Sequence, residues 1–334
     1  MIKSSLVNSS IESQIEVPSF PNMKTSKAFT AEKWIGIIAR PGDLKKNIAH
    51  YWKPFIDSGL LDKRIGSYTV ELFPPDYQLL LITVRTNHLN LYGIIKEELS
   101  KIAESLESDN SSNNIDAPGL GWFPVNDLQT LYLNEFYIPI VNYTLRESAR
   151  NCHHLLMCKS SELCMDFMSS TPMELSQEDI LERIFPKQAV LIFNVLKRAK
   201  EVFNFYNYYF EILESSLSHL DPSDLKDFMS IIENNYQSQK EIFMPYLRLI
   251  EKSSSNEEDL GEVWLDEWRR TCSMAATELT VCENSNAFFS YDIEGIPPKW
   301  LFLRGFINAM HCQYGIDFVY EFNLCYVIKN CLKK

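Results

Sequence analysis

Tyr68-Thr-Val-Glu-Leu-Phe73 and Leu79-Leu-Leu-Ile-Thr-Val84, with Pro74-Pro75-Asp76 between them, decide the fold. Both runs are rich in β-branched and aromatic residues, and the two prolines break regular structure, so the pair predicts a β-hairpin. Upstream, Trp34-Ile-Gly-Ile-Ile-Ala39 reads as a further strand. Arg40-Pro41-Gly42-Asp43 stops it, with Asp43 the expected N-cap of a following helix. Downstream, Ile94, Ile95, Leu99, Ile102 and Leu106 recur at the three-to-four spacing of an amphipathic helix laid on a sheet. The first hundred residues therefore predict strand, helix, two strands, helix.

Moving outward, residues 1–28 are rich in Ser and Asn and are expected to form a flexible arm or an added edge element. Ser108-Asp-Asn-Ser-Ser-Asn-Asn114 reads as a polar loop, a boundary or a mobile lid open to proteolysis. From Ser176 the pattern turns helical. Gln177-Glu-Asp after Ser176 is a capping signature, and helices are predicted at about 177–184, 187–218, 221–235, 237–252 and 260–280. The fold class is α+β: a mixed or antiparallel sheet with packed helices and a helical insert at about 177–280, all within one domain over 29–334.

Composition narrows the function classes. With 46% hydrophobic residues in 334, the chain can bury a large core, and 20 Phe and 16 Tyr suit a pocket for a flat or extended ligand. A net charge of −12 repels a nucleic-acid backbone, and no apolar run approaches the ~20 residues of a membrane span. Nucleic acid and membrane are therefore excluded as expected partners. The eight cysteines never form C-x-x-C and no signal peptide is read ahead of them, so reduced thiols in a cytoplasmic protein are expected. Cys152, His153, His154 and Cys158 cannot converge on one ion from a single regular helix, and no metal is expected.

The closing stretch from Pro297 to Lys334 packs Trp300, Phe302, Phe306, Ile307, Met310, Phe318 and Phe322 among few charges, so it must be deeply buried. Arg304, Asn308, His311, Gln313, Tyr314 and Asp317 sit inside it. A core holds such groups only when they are hydrogen-bonded or employed, which makes this stretch the strongest site signal.

Four stretches carry a family resemblance: Trp34 to Pro41 with Tyr51-Trp-Lys-Pro-Phe55; Tyr77 to Leu91; Asn134-Glu-Phe-Tyr-Ile-Pro139 with the segment through His153 and His154; and Leu303-Arg-Gly-Phe-Ile-Asn-Ala-Met-His-Cys-Gln-Tyr-Gly-Ile316. Together they resemble the thiopeptide-type bacteriocin biosynthesis family, which shares its fold with the C-terminal elimination domain of lanthipeptide dehydratases. Eliminating members hold a glutamyl ester with arginines on adjacent strands. Here Ile82 to Leu91 carries one arginine, Arg85, and Gln313-Tyr314 stands where an Asn-Arg pair is usual. These departures resemble the standalone pyridine synthases of thiopeptide pathways. That branch implies a cofactor-independent enzyme joining two dehydroalanines of a modified precursor peptide in a formal aza-[4+2] cycloaddition, with loss of water and leader peptide.

The resemblance also implies roles. His311 would move protons, Tyr291 would donate to the reacting amide oxygen, and Ser285 would hydrogen-bond beside it. Arg85, His88, Arg304, Gln313 and Tyr314 would contact substrate. Arg304 and Asp317 form either a structural ion pair or supports for Tyr314 and His311. Of His153 and His154, at most one reaches a site. Tyr206, Tyr208 and Tyr209 read as core or groove-lining aromatics. Lys187, Lys197, Arg198 and Lys200 make a basic strip, either for acidic residues of the leader or as a solvated helix face. Two other functions stay open: a tRNA-Glu-dependent dehydratase elimination subunit, and a non-catalytic peptide-binding partner. The expected partner is the precursor peptide with its leader, acted on by a homodimer or within a biosynthetic complex.

Overall fold

Strand β3, Leu80–Thr86, is central because it pairs on both edges: with β2, Ser67–Leu72, on one side and with β1, Lys33–Ala39, on the other. β4, Tyr132–Asn134, adds beyond β1, giving a four-stranded sheet of order β2-β3-β1-β4 in which every pair is antiparallel. The computed structural model describes residues 33–39, 47–72, 80–86, 91–109, 132–134, 145–170, 177–256, 259–289 and 295–333. The expected arm at 1–28, the Asp43 cap, the turn Pro74-Pro75-Asp76, residues 110–114 of the polar loop, residues 135–139, Ser176, His88 and Tyr291 lie outside them. Tyr68, Val70, Ile82 and Val84 are buried on one face of the β2-β3 pair, and Thr69 and Thr83 are buried on the other. The centre of the sheet is thus covered on both sides.

A π-helical turn, Ile48–Trp52, runs into α1, Lys53–Leu61, where Pro54 occupies the first turn that tolerates it. α2, Tyr92–Asp109, packs on β1. α3, Glu147–Ser170, lies along β2, and its Ser161 hydroxyl accepts the Val70 amide at 2.9 Å, satisfying a backbone donor on an edge strand.

α4, Gln177–Leu196, is the axis of the helical part: every residue from Ile184 to Leu196 is buried, as expected of a helix apolar all round. α5, Ala199–Ser215, and α6, Pro222–Asn256, follow; then come α7, Val263–Asn284, α8, Pro298–Gln313, and α9, Phe318–Leu332. α4 touches α5, α6, α7 and α8, while α9 packs on α5 and α6. Asp317 caps α9 by accepting the Tyr320 amide at 3.0 Å.

Two boundary expectations differ from the structure. Pro186 does not end a helix but lies inside α4, and the break falls at Lys197, whose φ is 62°. The predicted helices 221–235 and 237–252 are one helix, because buried Ile232, Phe243, Leu247 and Ile250, with half-buried Tyr236 between them, share one face and nothing at Asn234-Asn235 forbids helix. No helix among the described residues is long and apolar enough to cross a membrane.

Candidate functional site

The last turn of α8 brings His311, Gln313 and Tyr314 into the protein interior, where each is buried. Gln313 Nε2 donates to Ser161 Oγ at 2.7 Å, and its Oε1 accepts from the Ser160 hydroxyl. The Cys164 thiol donates to the Gln313 carbonyl at 3.2 Å. These contacts tie the end of α8 to α3. Tyr314 turns the other way, its hydroxyl accepting from Lys187 Nζ at 3.2 Å, while the same ammonium donates to the Ser160 carbonyl at 3.0 Å.

Lys187 is fully buried on α4 beneath the rings of Trp268, 5.3 Å from Nζ, and Tyr314, at 4.9 Å. Among the described residues no carboxylate pairs with it. Burial therefore pushes its ammonium down to about 7, the range of a group that gives and takes protons near neutrality.

Gln188, the next residue of α4, serves a second network. His311 Nε2 lies 2.9 Å from Gln188 Oε1, and Gln188 Nε2 donates to the Tyr206 hydroxyl at 3.2 Å. On its other side His311 Nδ1 faces Glu321 Oε1 of α9 at 3.5 Å, and the Tyr209 hydroxyl donates to that same oxygen. Burial raises the Glu321 carboxyl, but the pull of the nearby His311 imidazole, the Tyr209 hydroxyl and Asn308 outweighs it and holds the group below its ordinary value. Tyr206, Gln188, His311, Glu321 and Tyr209 thus form a string across α5, α4, α8 and α9. Such a string fixes the His311 ring and offers it polar groups on both sides.

A third cluster joins the sheet to α3. His154 and Cys158 stand one turn apart, with Nε2 3.3 Å from Sγ. Arg85 of β3, cross-strand partner of Ser67, acts electrostatically on both. Burial, helped by the Arg85 charge, lowers His154 to about 4. Burial raises Cys158 to about 11, against the opposing pull of Ser67 and Arg85. The neighbouring His153 takes no part, its ring packed edge-on to Phe302 and Phe306 at 6.0 and 5.5 Å.

Of the residues singled out in the sequence, His311, Gln313 and Tyr314 share the α8 terminus. Ser285 is exposed at the end of α7, its hydroxyl returning to the Val281 carbonyl at 2.7 Å, and no hydrogen bond among the described residues joins it to His311. Arg304 is half-buried two turns before His311. Asp317 caps α9, and no ion pair among the described residues links it to Arg304. Lys197, Arg198 and Lys200 are exposed around the α4–α5 break, with Arg198 3.7 Å from Glu201. Lys187 does not belong to that strip: α4 is enclosed on all sides at its position, so the ammonium faces the core rather than a leader peptide. Gln188 and Glu321 were missed. Each is a polar residue inside an apolar run, the signal that drew attention to Pro297–Lys334.

Three solved structures are similar to this chain. TsrL matches with a TM-score of 0.63 at 12% identity, over 90% of this chain and 93% of its own. TbtD, a pyridine synthase from thiomuracin biosynthesis, matches with a TM-score of 0.66 at 12% identity, over 90% of this chain and 97% of its own. The tRNA dependent lantibiotic dehydratase MibB from Microbispora sp. 107891 matches with a TM-score of 0.50 at 9% identity, over 92% of this chain but 28% of its own. No protein-family model matches the sequence, and the search of curated proteins finds no match. The α+β fold expected from the sequence is therefore the fold found, and it is shared with these proteins.

Proposed function

We propose that the chain, sharing one fold with a pyridine synthase and a dehydratase, is a thiopeptide-pathway enzyme of the pyridine-synthase kind, working in the cytoplasm. The observation that carries this reading is the single arginine, Arg85, in Ile82–Leu91, where eliminating members of the resembled family carry a more basic run. The fold also superposes better on TbtD, with a TM-score of 0.66, than on MibB, with 0.50.

In this reading a leader-bearing precursor peptide presents two dehydroalanines. The amide joined to one of them tautomerises to its imidic acid, the aza-diene adds to the second alkene, and loss of water and of the leader as a carboxamide aromatises the ring. Orientation supplies much of the acceleration. Proton transfer falls to His311, with Gln188 and Glu321 setting its ring, and Ser285 and Tyr291 hydrogen-bond the reacting amide. Arg85 and Arg304 contact substrate, and the leader lies against Lys197, Arg198 and Lys200. No cofactor is required.

The test is mass spectrometry of a dehydrated, azole-bearing precursor peptide incubated with the protein alone. A macrocyclic product with released leader carboxamide is the expected result. Dehydroalanine formed from a glutamylated precursor would assign the protein to elimination instead, and a bound but unchanged peptide would make it a binding partner.

A further inference from the structure

Helix α6 turns Ile232, Phe243, Leu247 and Ile250 into the core, and away from them it carries a second apolar line. Ser238, Ile242, Pro245 and Leu249 recur at spacings of four, three and four residues, which keeps them on one strip of the helix, and all four are exposed. Ile242 is 64% exposed and Leu249 37%. Pro245 has no amide, so on this strip the Glu241 carbonyl loses the donor that residue i+4 supplies elsewhere in a helix. Glu241 and Arg248 border the strip on one side, two turns apart. Both are exposed, and neither forms an ion pair among the described residues.

We infer that this strip docks a second copy of the chain, α6 against α6, antiparallel about a two-fold axis that crosses between Ile242 and Pro245. The occupant follows from the order of the charges. In such a pair a residue ahead of the axis meets one equally far beyond it on the same border, so each Glu241 comes opposite Arg248 of the other copy, and the contact forms twice. A parallel pairing would instead bring like charges to the same level. The guanidinium has donors enough to serve both the Glu241 carboxylate and the carbonyl that Pro245 frees. Ile242 of one copy packs on Pro245 of the other, and Leu249 covers Ser238 at each end. The strip thus satisfies its own apolar and charged parts with no second sequence required. From Ser238 to Lys252 it covers about 20 Å of helix at about 1.5 Å per residue, less than a standard interface, so the dimer is weak and reversible, with Kd on the order of 10–100 µM. The inference stands apart from the proposed cycloaddition.

The experiment is sedimentation equilibrium of the full chain from about 5 to about 500 µM, where the average mass should climb from one chain toward two. Ile242→Asp puts a carboxylate into the seam and should raise Kd at least ~10-fold. Arg248→Glu sets like charges opposite each other at both ends and should do the same. Adding Glu241→Arg to Arg248→Glu exchanges the charges and should return Kd to within ~3-fold of the parent. All three positions are exposed, so an unchanged thermal midpoint of the monomer reports an intact fold. A chain that stays single at every concentration overturns the inference. So does a dimer whose Kd ignores Ile242→Asp, or a charge exchange that leaves association as weak as Arg248→Glu alone.

Discussion

His153 and Lys187 show how single buried groups set pH dependence. Neither ring nitrogen of His153 has a hydrogen-bond partner among the described residues, and burial drives its ring down to about 3. The unfolded ring binds a proton near 6.5 and the folded ring does not until about 3, so stability falls as pH drops through that window, by about 1.4 kcal/mol per unit. His153→Phe keeps the edge-on packing and removes this loss. Its urea midpoint should exceed the parent's at pH 4 and approach it at pH 7.5. Lys187 has the same sign in a higher window: unfolded it binds a proton up to 10.5, folded only below about 7, so stability rises with pH from about 7 upward until thiols and tyrosines titrate in opposition. Lys187→Met should flatten the rise between pH 7 and 8.5, a slope of about 1.4 kcal/mol per unit in the parent, even though Tyr314 and the Ser160 carbonyl lose a donor. The sequence signalled a site through His311, Gln313 and Tyr314 because polar residues in an apolar run need partners. It misplaced Lys187 because four basic residues at 187, 197, 198 and 200 look like one strip until the full enclosure of α4 is known.

Among the elements, the α4–α5 joint was the least legible. Lys197 adopts φ 62° with neither glycine nor proline to announce it, whereas Pro186, which looks like a stop, is carried inside α4 by burial on every side. A left-handed backbone strains any side chain with a Cβ, so Lys197→Gly should raise the midpoint of thermal unfolding by an amount equivalent to about 1 kcal/mol, and the β-branched Lys197→Val should lower it. α6 was divided in the sequence reading at Asn235-Tyr236, because Asn favours turns locally. The apolar face that buries Ile232, Phe243, Leu247 and Ile250 outweighs that preference in a helix of 35 residues. The strands fared better, since β-branched runs bounded by proline and glycine are a local signal. Their order in the sheet, with β3 between β1 and β2, is a matter of pairing that no single run records.

For the whole molecule, the thiols give a direct probe. Five of eight are buried, so a disulfide-exchange reagent such as DTNB should titrate at most three in the native protein and all eight in guanidinium. A native count above three would mean that the helical part opens readily. The same packing explains what the sequence kept hidden. His311 belongs to α8, but its partners Gln188 and Glu321 come from α4 and α9, and only the assembled layers bring them together.

Lys187 and Gln188 are consecutive, yet one serves Tyr314 and Ser160 and the other serves His311 and Tyr206. An insertion or deletion of one residue in α4 ahead of them would rotate both side chains by about 100° relative to the start of the helix. It would uncouple the two networks in a single step. α4 is therefore a component of fixed length: the chain can absorb indels in its connections, but here the reading frame of the helix is itself part of the site.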